Sequence, residues 1–531
     1  MSTIKKVLIG LTVILLLLII FFQLNKKTGN GKGQSINYSH IQEQKQLSAI
    51  YCGSCHRVPD PDLLPWRTWR FETLSAMAPF LGIDDPQSSN NPSRNPYLPE
   101  NFYPTEPVVS QEDWQKIRDY YLYESPQEWN LPEKKPAIIT DTLFFKARFS
   151  DVPSEQPPTI TSVRFDPGNR LIYASDYQTH KFIVLNESLE LEHSLDIEST
   201  IASIKMMEKN VQTLPGYRDL LLTFIGYLNP SDAPYGSIQK GWYDPSRQQA
   251  GIDSILVSKL TRPVESMFID LNSDGNEDLL VNEFGHRTGS LFWMKNSGER
   301  NLFERRELIN TPGCIQSHVM DYTRNGWPDI ISLCTQTDQA IYLFSNEGEG
   351  QFVRSTLLEF EVTAGSSSFE IHDFNNDGHP DILYTSGDNA DFSKIFKPYH
   401  GVYIFLNDGE NQFNQRWFYP INGAFNAKAR DFDDDGLLDI AVISFFADYE
   451  NTPEEGFLYL KNEGDFMFTP YHHPAARTGR WQTMDVADWT GNGKDDIVLA
   501  NFSMGPSMVS DSLQNIWKDT PHILLLENQA Y

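Results

Sequence analysis

The sequence is poor in cysteine and in basic residues. Four cysteines in 531 residues are too few to stabilise a disulfide scaffold. The 43 Lys and Arg stand against 71 Asp and Glu, so the formal net charge is −28, and no basic cluster offsets it. Because nucleic acid is itself a polyanion, this charge argues against a nucleic-acid partner.

The sequence also lacks two common catalytic motifs. It has neither a Gly-x-Ser-x-Gly nucleophile turn nor a His-Glu-x-x-His zinc pair. We therefore assign no catalytic residue, and enzymatic activity stays open. Apolar residues make up 40% of the chain and aromatic residues 13%, which is enough for a core. The length suits about two to four domains, or one large repetitive domain.

The N-terminus carries one apolar run, residues 7–22, between Lys5-Lys6 and Lys26-Lys27. A spanning helix needs about 17–25 apolar residues, whereas a cleaved signal peptide needs a short core followed by small residues. No small-x-small site follows, so we predict a membrane helix at 1–27, with a cleaved signal peptide as the alternative. Residues 28–44 predict a flexible tether. Both interpretations place the rest of the chain outside the cytoplasm.

Residues 51–56 read Tyr-Cys-Gly-Ser-Cys-His. In the pattern Cys-x-x-Cys-His, two thiols attach to the haem vinyl groups and the imidazole ligates the iron. A redox dithiol would call for a βαβ context, and half of a zinc site would call for a second ligand pair nearby. The sequence shows neither. We therefore predict one covalent haem c bound through Cys52, Cys55 and His56.

Three segments around this motif predict a small helical domain. Residues 41–55, 66–77 and 110–124 have helical patterning, and Ser110 is a candidate N-cap. The segment 45–125 resembles a class I cytochrome c. The resemblance implies an all-α haem domain with a sixth iron ligand, commonly Met, for which Met77 is the candidate. Met77 follows His56 by 21 residues, which is shorter than in many cytochromes c, so a five-coordinate haem stays open.

After a Pro-rich linker at 126–140, one unit of apolar strand, Asp-rich turn and second strand recurs. The Asp that opens each second strand stands at 278, 329, 381, 439 and 496, and weaker copies extend the register to 219 and 170. Seven units of roughly 50 residues with about four strands each predict an all-β seven-bladed propeller over 141–531. The last unit is one strand short. We expect residues 143–149 to supply its outer strand and close the ring.

Five of the turns have the form Asp-x-Asn/Asp-x-Asp-Gly-x-x-Asp or a weaker version of it. Oxygen ligands at positions 1, 3, 5 and 9, with a backbone carbonyl at 7, suit Ca²⁺. An Asx-rich hairpin without an ion is the alternative. The repeats resemble the FG-GAP/VCBS type of integrin-like propellers, and we expect three calcium ions and up to five. The candidate metal residues are Asp270, Asn272, Asp274, Asn276, Asp278, Asp321, Thr323, Asn325, Asp329, Asp373, Asn375, Asp377, His379, Asp381, Asp431, Asp433, Asp435, Leu437, Asp439, Asp488, Thr490, Asn492 and Asp496.

Long connections gather on the face opposite these turns, which we call the non-calcium face. They span residues 227–236, 386–400, 446–456 and 503–521, and loops on a rigid scaffold commonly carry binding groups. We expect a redox partner protein or another ligand to bind this face. The polar and aromatic candidates are Asp388, Asn389, Asp391, Lys394, Lys397, Tyr399, His400, Asp448, Tyr449, Arg480, Trp481 and Trp517.

Cys314 and Cys334 both fall at the non-calcium end of blade four. Cys314 precedes Asp321 by seven residues and Cys334 follows Asp329 by five. The two-residue offset leaves a disulfide and two free thiols equally open.

Three functions compete for this multidomain chain of membrane helix, haem domain and propeller. The leading hypothesis is a membrane-tethered electron-transfer protein with one haem c and a calcium-stabilised propeller. The alternatives are a propeller oxidoreductase with the haem as electron outlet, and an adhesion or carbohydrate-binding propeller. We expect a bacterial cell-envelope location, membrane-anchored, with the bulk of the chain periplasmic or exported.

Overall fold

The computed structural model describes residues 38–85, 95–129, 135–153, 156–207, 217–298, 303–390, 393–504 and 509–529. The predicted membrane helix at 1–27 lies outside these residues, as does most of the predicted tether. Within the described ranges, every helix is too short or too polar to cross a membrane. The first helix begins at Tyr38, earlier than the sequence patterning indicates.

A small helical unit precedes the propeller. Its α-helices are α1 (Tyr38–Tyr51), α2 (Trp66–Thr68), α3 (Leu74–Met77) and α4 (Gln111–Glu124). A π-helical turn, Trp69–Thr73, joins α2 to α3, and short 3₁₀ turns span Cys52–Ser54, Pro61–Leu63 and Ala78–Leu81.

Helix α4 holds this unit together. Ser110 caps it, accepting a hydrogen bond from the Asp113 backbone N–H at 3.0 Å, as expected. Trp114, Ile117, Tyr120 and Tyr121 form its buried stripe, which packs against α1 and the segment around Trp69. The Trp69 and Tyr121 rings lie 4.5 Å apart between centroids.

The propeller has seven blades, each built on a four-stranded antiparallel sheet, as the repeat spacing predicts. Blade one is β3 (Ile160–Asp166), β4 (Leu171–Asp176), β5 (Lys181–Leu185) and β6 (Leu191–Asp196). Blade two is β7 (Ile201–Met206), β8 (Arg218–Phe224), β9 (Gly236–Asp244) and β10 (Gln249–Leu260). Blade three is β11 (Pro263–Ile269), β12 (Asp278–Glu283), β13 (Ser290–Asn296) and β14 (Phe303–Ile309). Blade four is β15 (Cys314–Met320), β16 (Asp329–Cys334), β17 (Gln339–Asn346) and β18 (Phe352–Phe360).

The remaining blades follow the same order, with two strands taken from before blade one. Blade five is β19 (Ser366–His372), β20 (Asp381–Ser386), β21 (Gly401–Asn407) and β22 (Phe413–Pro420). Blade six is β23 (Ala424–Arg430), β24 (Asp439–Ser444), β25 (Phe457–Asn462) and β26 (Phe468–His472), with β1 (Ile139–Thr140) added in parallel at its outer edge. Blade seven is β27 (Trp481–Ala487), β28 (Asp496–Asn501), β29 (Ile523–Asn528) and, outermost, β2 (Phe145–Phe149). A last helix, α5 (Asp511–Trp517), lies in the connection before β29.

The ring is closed at two levels. The innermost strands of successive blades contact one another, and β27 of blade seven contacts β3 of blade one. Strand β2 pairs antiparallel with β29, the position that the sequence assigned to residues 143–149. Closure removes exposed strand edges on which other chains could pair.

The linker at 126–140 packs more closely than its Pro-rich composition indicates. Trp129 donates to the backbone carbonyl of Asp62 at 3.1 Å, and Lys135 forms a 2.6 Å ion pair with the buried Glu455 of blade six. Strand β1 follows, which the sequence analysis missed because a two-residue strand carries no periodicity of its own. The described parts of the linker, residues 126–129 and 135–140, therefore pack against the helical unit and the propeller.

A disulfide joins Cys314 to Cys334. Their offset in sequence disappears in the sheet because the register shifts by one residue between Cys314 and Gln316. This bulge sets Cys314 opposite Cys334, as the next pair after Gln316 and Leu333.

Phe145 tests the closing strand. It is 3% exposed and packs edge-on against Phe432 and Tyr459 of blade six. We expect Phe145→Ala to lower the free energy of unfolding by about 3–5 kcal/mol, measured by urea denaturation. Phe149→Ala, on the same strand but 44% exposed, is the control and should cost less than about 1 kcal/mol. Equal effects of the two variants would show that β2 does not anchor the ring.

Candidate functional site

The Cys-x-x-Cys-His motif stands where α1 ends. The 3₁₀ turn Cys52–Ser54 follows Tyr51 directly, and the Cys55 backbone N–H donates to the Cys52 carbonyl at 3.5 Å. This turn keeps both thiols and His56 within one short segment.

The histidine of the motif has a defined hydrogen bond. His56 Nδ1 lies 2.8 Å from the backbone carbonyl oxygen of Arg57. Because a carbonyl only accepts, this contact requires a proton on Nδ1, and in the neutral imidazole the lone pair is then on Nε2. A neutral imidazole with Nδ1 so bound is the form that ligates metals.

The two thiols differ in their surroundings. Cys52 is partly buried in the helical core, whereas Cys55 is exposed. Burial, and the neighbouring Cys55 thiol, raise the pKa of Cys52 to about 11. Cys52 is therefore a protonated thiol at neutral pH, not a reactive thiolate of the kind redox dithiols use.

Met77 ends α3 and lines the same cavity as the Cys-x-x-Cys-His motif. The cavity has a volume of about 460 Å³, within the usual range for small-molecule sites. Its helical wall brings Cys52, Cys55, His56 and Met77 together among apolar side chains: Leu64, Trp69, Leu74, Leu81, Trp114 and Tyr121.

The opposite wall of the cavity comes from the propeller. It consists of connections of blades three, four and five on the non-calcium face, and we call it the propeller wall. Unlike the helical wall, it is mostly polar; its members include Arg287, Gln336, Thr363, Asp388, Asn389 and Lys397. The cavity thus pairs an apolar side with a hydrogen-bonding side, which suits a large apolar ligand with a polar edge.

Direct contacts hold the two walls together. The Tyr399 hydroxyl donates to the Leu63 carbonyl at 3.0 Å, and the Lys394 backbone N–H donates to Glu72 at 3.2 Å. Arg57 pairs with Glu361 at 3.1 Å. The non-calcium face of blades three to five is therefore covered, in part, by the chain's own helical unit.

The remaining candidates on that face do not contribute to the cavity. Arg480 and Trp481 are buried, with exposures of 1% and 0%, and Tyr449 packs against Trp517. Asp391 lies outside the described residues. Sequence reasoning identified Asp388, Asn389 and Lys397 as loop residues but missed Arg287 and Gln336, which stand in short turns without a distinctive pattern.

On the other face, the three full turns share one geometry. The Asp at position 1 accepts hydrogen bonds from the backbone N–H groups of positions 5 and 6, as Asp270 does from Asp274 at 3.1 Å and Gly275 at 2.8 Å. Position 5 accepts from the N–H of position 7: Asp274 from Asn276, Asp377 from His379 and Asp435 from Leu437. The Gly at position 6 has positive φ in each.

The two weaker turns use position 3 differently. Thr323 and Thr490 donate through their backbone N–H to the ninth-position Asp, at 2.7 and 2.8 Å. At position 5, Asn325 and Asn492 donate to the carbonyls of Asn346 and Asn528. Their side-chain amides therefore brace the neighbouring strand, and these turns are poorer cation sites than the full ones.

The ninth-position Asp is a structural residue in all five turns. Asp278, Asp329, Asp381, Asp439 and Asp496 are fully buried. One oxygen of each accepts the N–H of the Asn that ends the third strand, as in Asn296 to Asp278 at 2.8 Å, and the other accepts from the start of its own turn. Burial raises the pKa of Asp278 to about 6 and that of Asp439 to about 7. A cation held by the turn would offset this cost.

Blade six has the densest group of carboxylates. Oxygens of Asp431, Asp433 and Asp435 lie within 4.8 Å of one another, a spacing that can hold a metal ion. Lys461 reaches the same group: its ammonium contacts Asp433 and lies 3.2 Å from Asp435. The turn therefore offers oxygen ligands to Ca²⁺ but also contains a competing internal cation.

The repeats match a known family model. Residues 270–332, 321–384 and 431–499 match the FG-GAP-like repeat, and these segments contain all five Asp-rich turns. The chain carries FG-GAP-like repeats. Comparison with curated proteins finds no match.

The chain matches solved structures, two of them at low sequence identity as follows. The chain is similar to the structure of BBS1N in complex with ARL6DN, soaked with mercury, at 8% identity over 57% of this chain and 76% of that one, with a TM-score of 0.33. It is also similar to the Pan2 WD40 domain of Neurospora crassa, at 12% identity over 73% of this chain and 97% of that one, with a TM-score of 0.42.

Competition between Lys461 of blade six and Ca²⁺ can be tested. We expect Lys461→Met to tighten Ca²⁺ binding at one site by about tenfold, or about 1.4 kcal/mol, because the ammonium no longer competes for Asp433 and Asp435. Calorimetric titration of the full chain with Ca²⁺ measures this. Lys181→Met, which removes an ammonium paired with Asp196 far from these turns, is the control. A Ca²⁺ affinity unchanged by Lys461→Met would mean that blade six does not bind the ion.

Proposed function

We propose that this protein is an extracytoplasmic electron-transfer protein that carries one covalent haem c in the cavity between its helical unit and its propeller. The observation behind the proposal is that Met77, 21 residues after His56, lines the same cavity of about 460 Å³ as Cys52, Cys55 and His56. Neither a redox dithiol nor a zinc site requires a methionine such as Met77 or an apolar wall.

The residues of the cavity fit a haem. Cys52 and Cys55 would hold the porphyrin through thioether bonds, and His56 Nε2, left with its lone pair by the Nδ1 contact, would ligate the iron. Met77 would supply a second ligand to the iron through its thioether sulfur. The apolar helical wall excludes water from the macrocycle, which favours electron transfer over reactions with solvent species. When bound, the haem supplies a one-electron couple.

The placement of Cys55 bears on the partner. Cys55 is exposed, so the attachment turn lies at the protein surface. A redox partner could approach this turn without displacing either wall, whereas the covered part of the non-calcium face could not receive one. We therefore propose that the redox partner docks beside the attachment turn, and that the exposed remainder of the propeller is available for docking another ligand.

The proposed compartment has independent support. Disulfides persist in oxidising compartments, and the chain contains one between Cys314 and Cys334. Together with covalent haem attachment and the apolar run at 7–22, this favours a bacterial cell-envelope protein, tethered to the membrane with its domains in the periplasm or exported. Calcium at the three full turns would stabilise the propeller in that setting.

Haem attachment is directly testable. We expect full-length protein, produced with a c-type cytochrome maturation system, to gain the mass of one haem and a reducible haem c absorption spectrum that survive denaturation. The double variant Cys52→Ser/Cys55→Ser should lose the covalent haem while its far-ultraviolet circular dichroism stays that of the propeller. Wild-type protein without a haem band under these conditions would contradict the proposal.

The proposed role of Met77 as an iron ligand can be tested separately. Because a thioether ligand raises the potential of a haem iron, Met77→Ala should lower the midpoint potential and change the spectrum. Met467→Ala, at a position 60% exposed in blade six, is the control. An unchanged spectrum in Met77→Ala would leave the haem five-coordinate.

A further inference from the structure

The propeller wall carries polar and cationic side chains whose presence the Cys-x-x-Cys-His motif does not explain. We propose that Arg287, Asn389 and Lys397 form a carboxylate-binding site facing the haem cavity. The proposal rests on the proposed function in one respect: in the haem-loaded protein the carboxylates could be the haem's own propionates. A separate small carboxylate is the other source, and the experiment below distinguishes them.

Asn389 carries the argument because its side-chain amide is buried without a hydrogen-bond partner. The residue is 6% exposed and lines the cavity, yet its Nδ2 makes no hydrogen bond. A buried donor left unsatisfied costs about 1–3 kcal/mol. A ligand oxygen in the cavity would satisfy it.

Two cationic side chains stand in the same wall. Lys397 is only 3% exposed, and Arg287 lies with its guanidinium 5.1 Å from the centre of the Phe80 ring. The backbone N–H of Arg287 donates to Asp232 at 2.7 Å, which fixes the turn that presents it. Burial lowers the pKa of the neighbouring His286 to about 4, so that imidazole is neutral at pH 7 and adds no charge.

The cationic side chains of the propeller wall can bind an anion. Arg287 and Lys397 share the wall with the carboxylate of Asp388, and the buried carboxylate of Asp232 accepts a hydrogen bond from the Arg287 backbone N–H. Charge-assisted hydrogen bonds from Arg and Lys to a carboxylate are about twice as strong as neutral ones.

Gln336 adds a second amide from the adjacent blade. Its Oε1 is buried without a hydrogen-bond partner, and the residue lines the cavity. An amide can turn to present its NH₂ group instead, so Gln336 and Asn389 can both donate to carboxylate oxygens. The wall therefore matches a ligand with more than one carboxylate oxygen.

The test adds a negative charge within the wall. Asn389→Asp keeps the size of the side chain but replaces the donor with a carboxylate facing the ligand. In haem-loaded full-length protein we expect the haem to stay attached and the midpoint potential to fall, because added negative charge favours the oxidised iron. Gln178→Glu makes the same charge change on the same face, in a turn of blade one that does not line the cavity, and should leave the potential unchanged.

Succinate titration separates the two sources of carboxylate. Haem-free full-length protein, obtained as Cys52→Ser/Cys55→Ser, should bind succinate by calorimetry, and the further change Asn389→Asp should weaken binding at least tenfold. If haem-loaded protein does not bind succinate, the propionates occupy the wall; if it does, a separate carboxylate is the ligand. The proposal is overturned if Asn389→Asp and Gln178→Glu have the same potential and neither protein form binds succinate. Failure of haem attachment in wild type would refute the proposed function alone, since succinate binding would still test the wall.

Discussion

Closure of the propeller ring is the constraint on which the other features depend. The outer strand of blade seven, β2, comes from residues before blade one and pairs with β29. The segment 126–149 must therefore pass blades five and six on its way to blade seven, as the contacts of Trp129, Lys135 and β1 record. Because this segment also leaves the helical unit, closing the ring fixes that unit over the non-calcium face.

The Asp-rich turns serve two purposes that the motif alone does not separate. The ninth-position Asp holds two backbone N–H groups in each of blades three to seven, so it stabilises the blade whether or not an ion is bound. Each ninth-position Asp stays a predicted cation ligand beside the residues at positions 1, 3 and 5. Blade one has no Asp-rich turn of this kind. Its Asp166 is buried at the end of β3 and accepts two hydrogen bonds from Arg218 of blade two. Blade one therefore also has a buried carboxylate, with an arginine as its partner.

The propeller blades could be predicted from the sequence because they repeat one pattern. The second strands of the seven blades recur at a regular spacing, and six of them are buried along their whole length. They can be counted in the sequence because each copy reports a similar local environment. Features that occur only once in the fold could not be found in that way. Strand β1 has only two residues, and Arg287 gains its place only when blade three meets the helical unit. Such contacts join residues far apart in sequence, and no local pattern encodes them.

The two walls of the cavity differ in how well the sequence predicts them. Its helical wall was foreseeable, because the attachment motif, Met77 and the aromatic stripe of α4 are all local patterns. Its propeller wall exists only because the closed ring holds connections of three blades against the helices. A porphyrin has the same asymmetry, an apolar ring with carboxylates on one edge. Under the proposed function, the propeller is thus one side of the cofactor site, and a haem bound by both walls would make helical unit and ring a single cooperative structure.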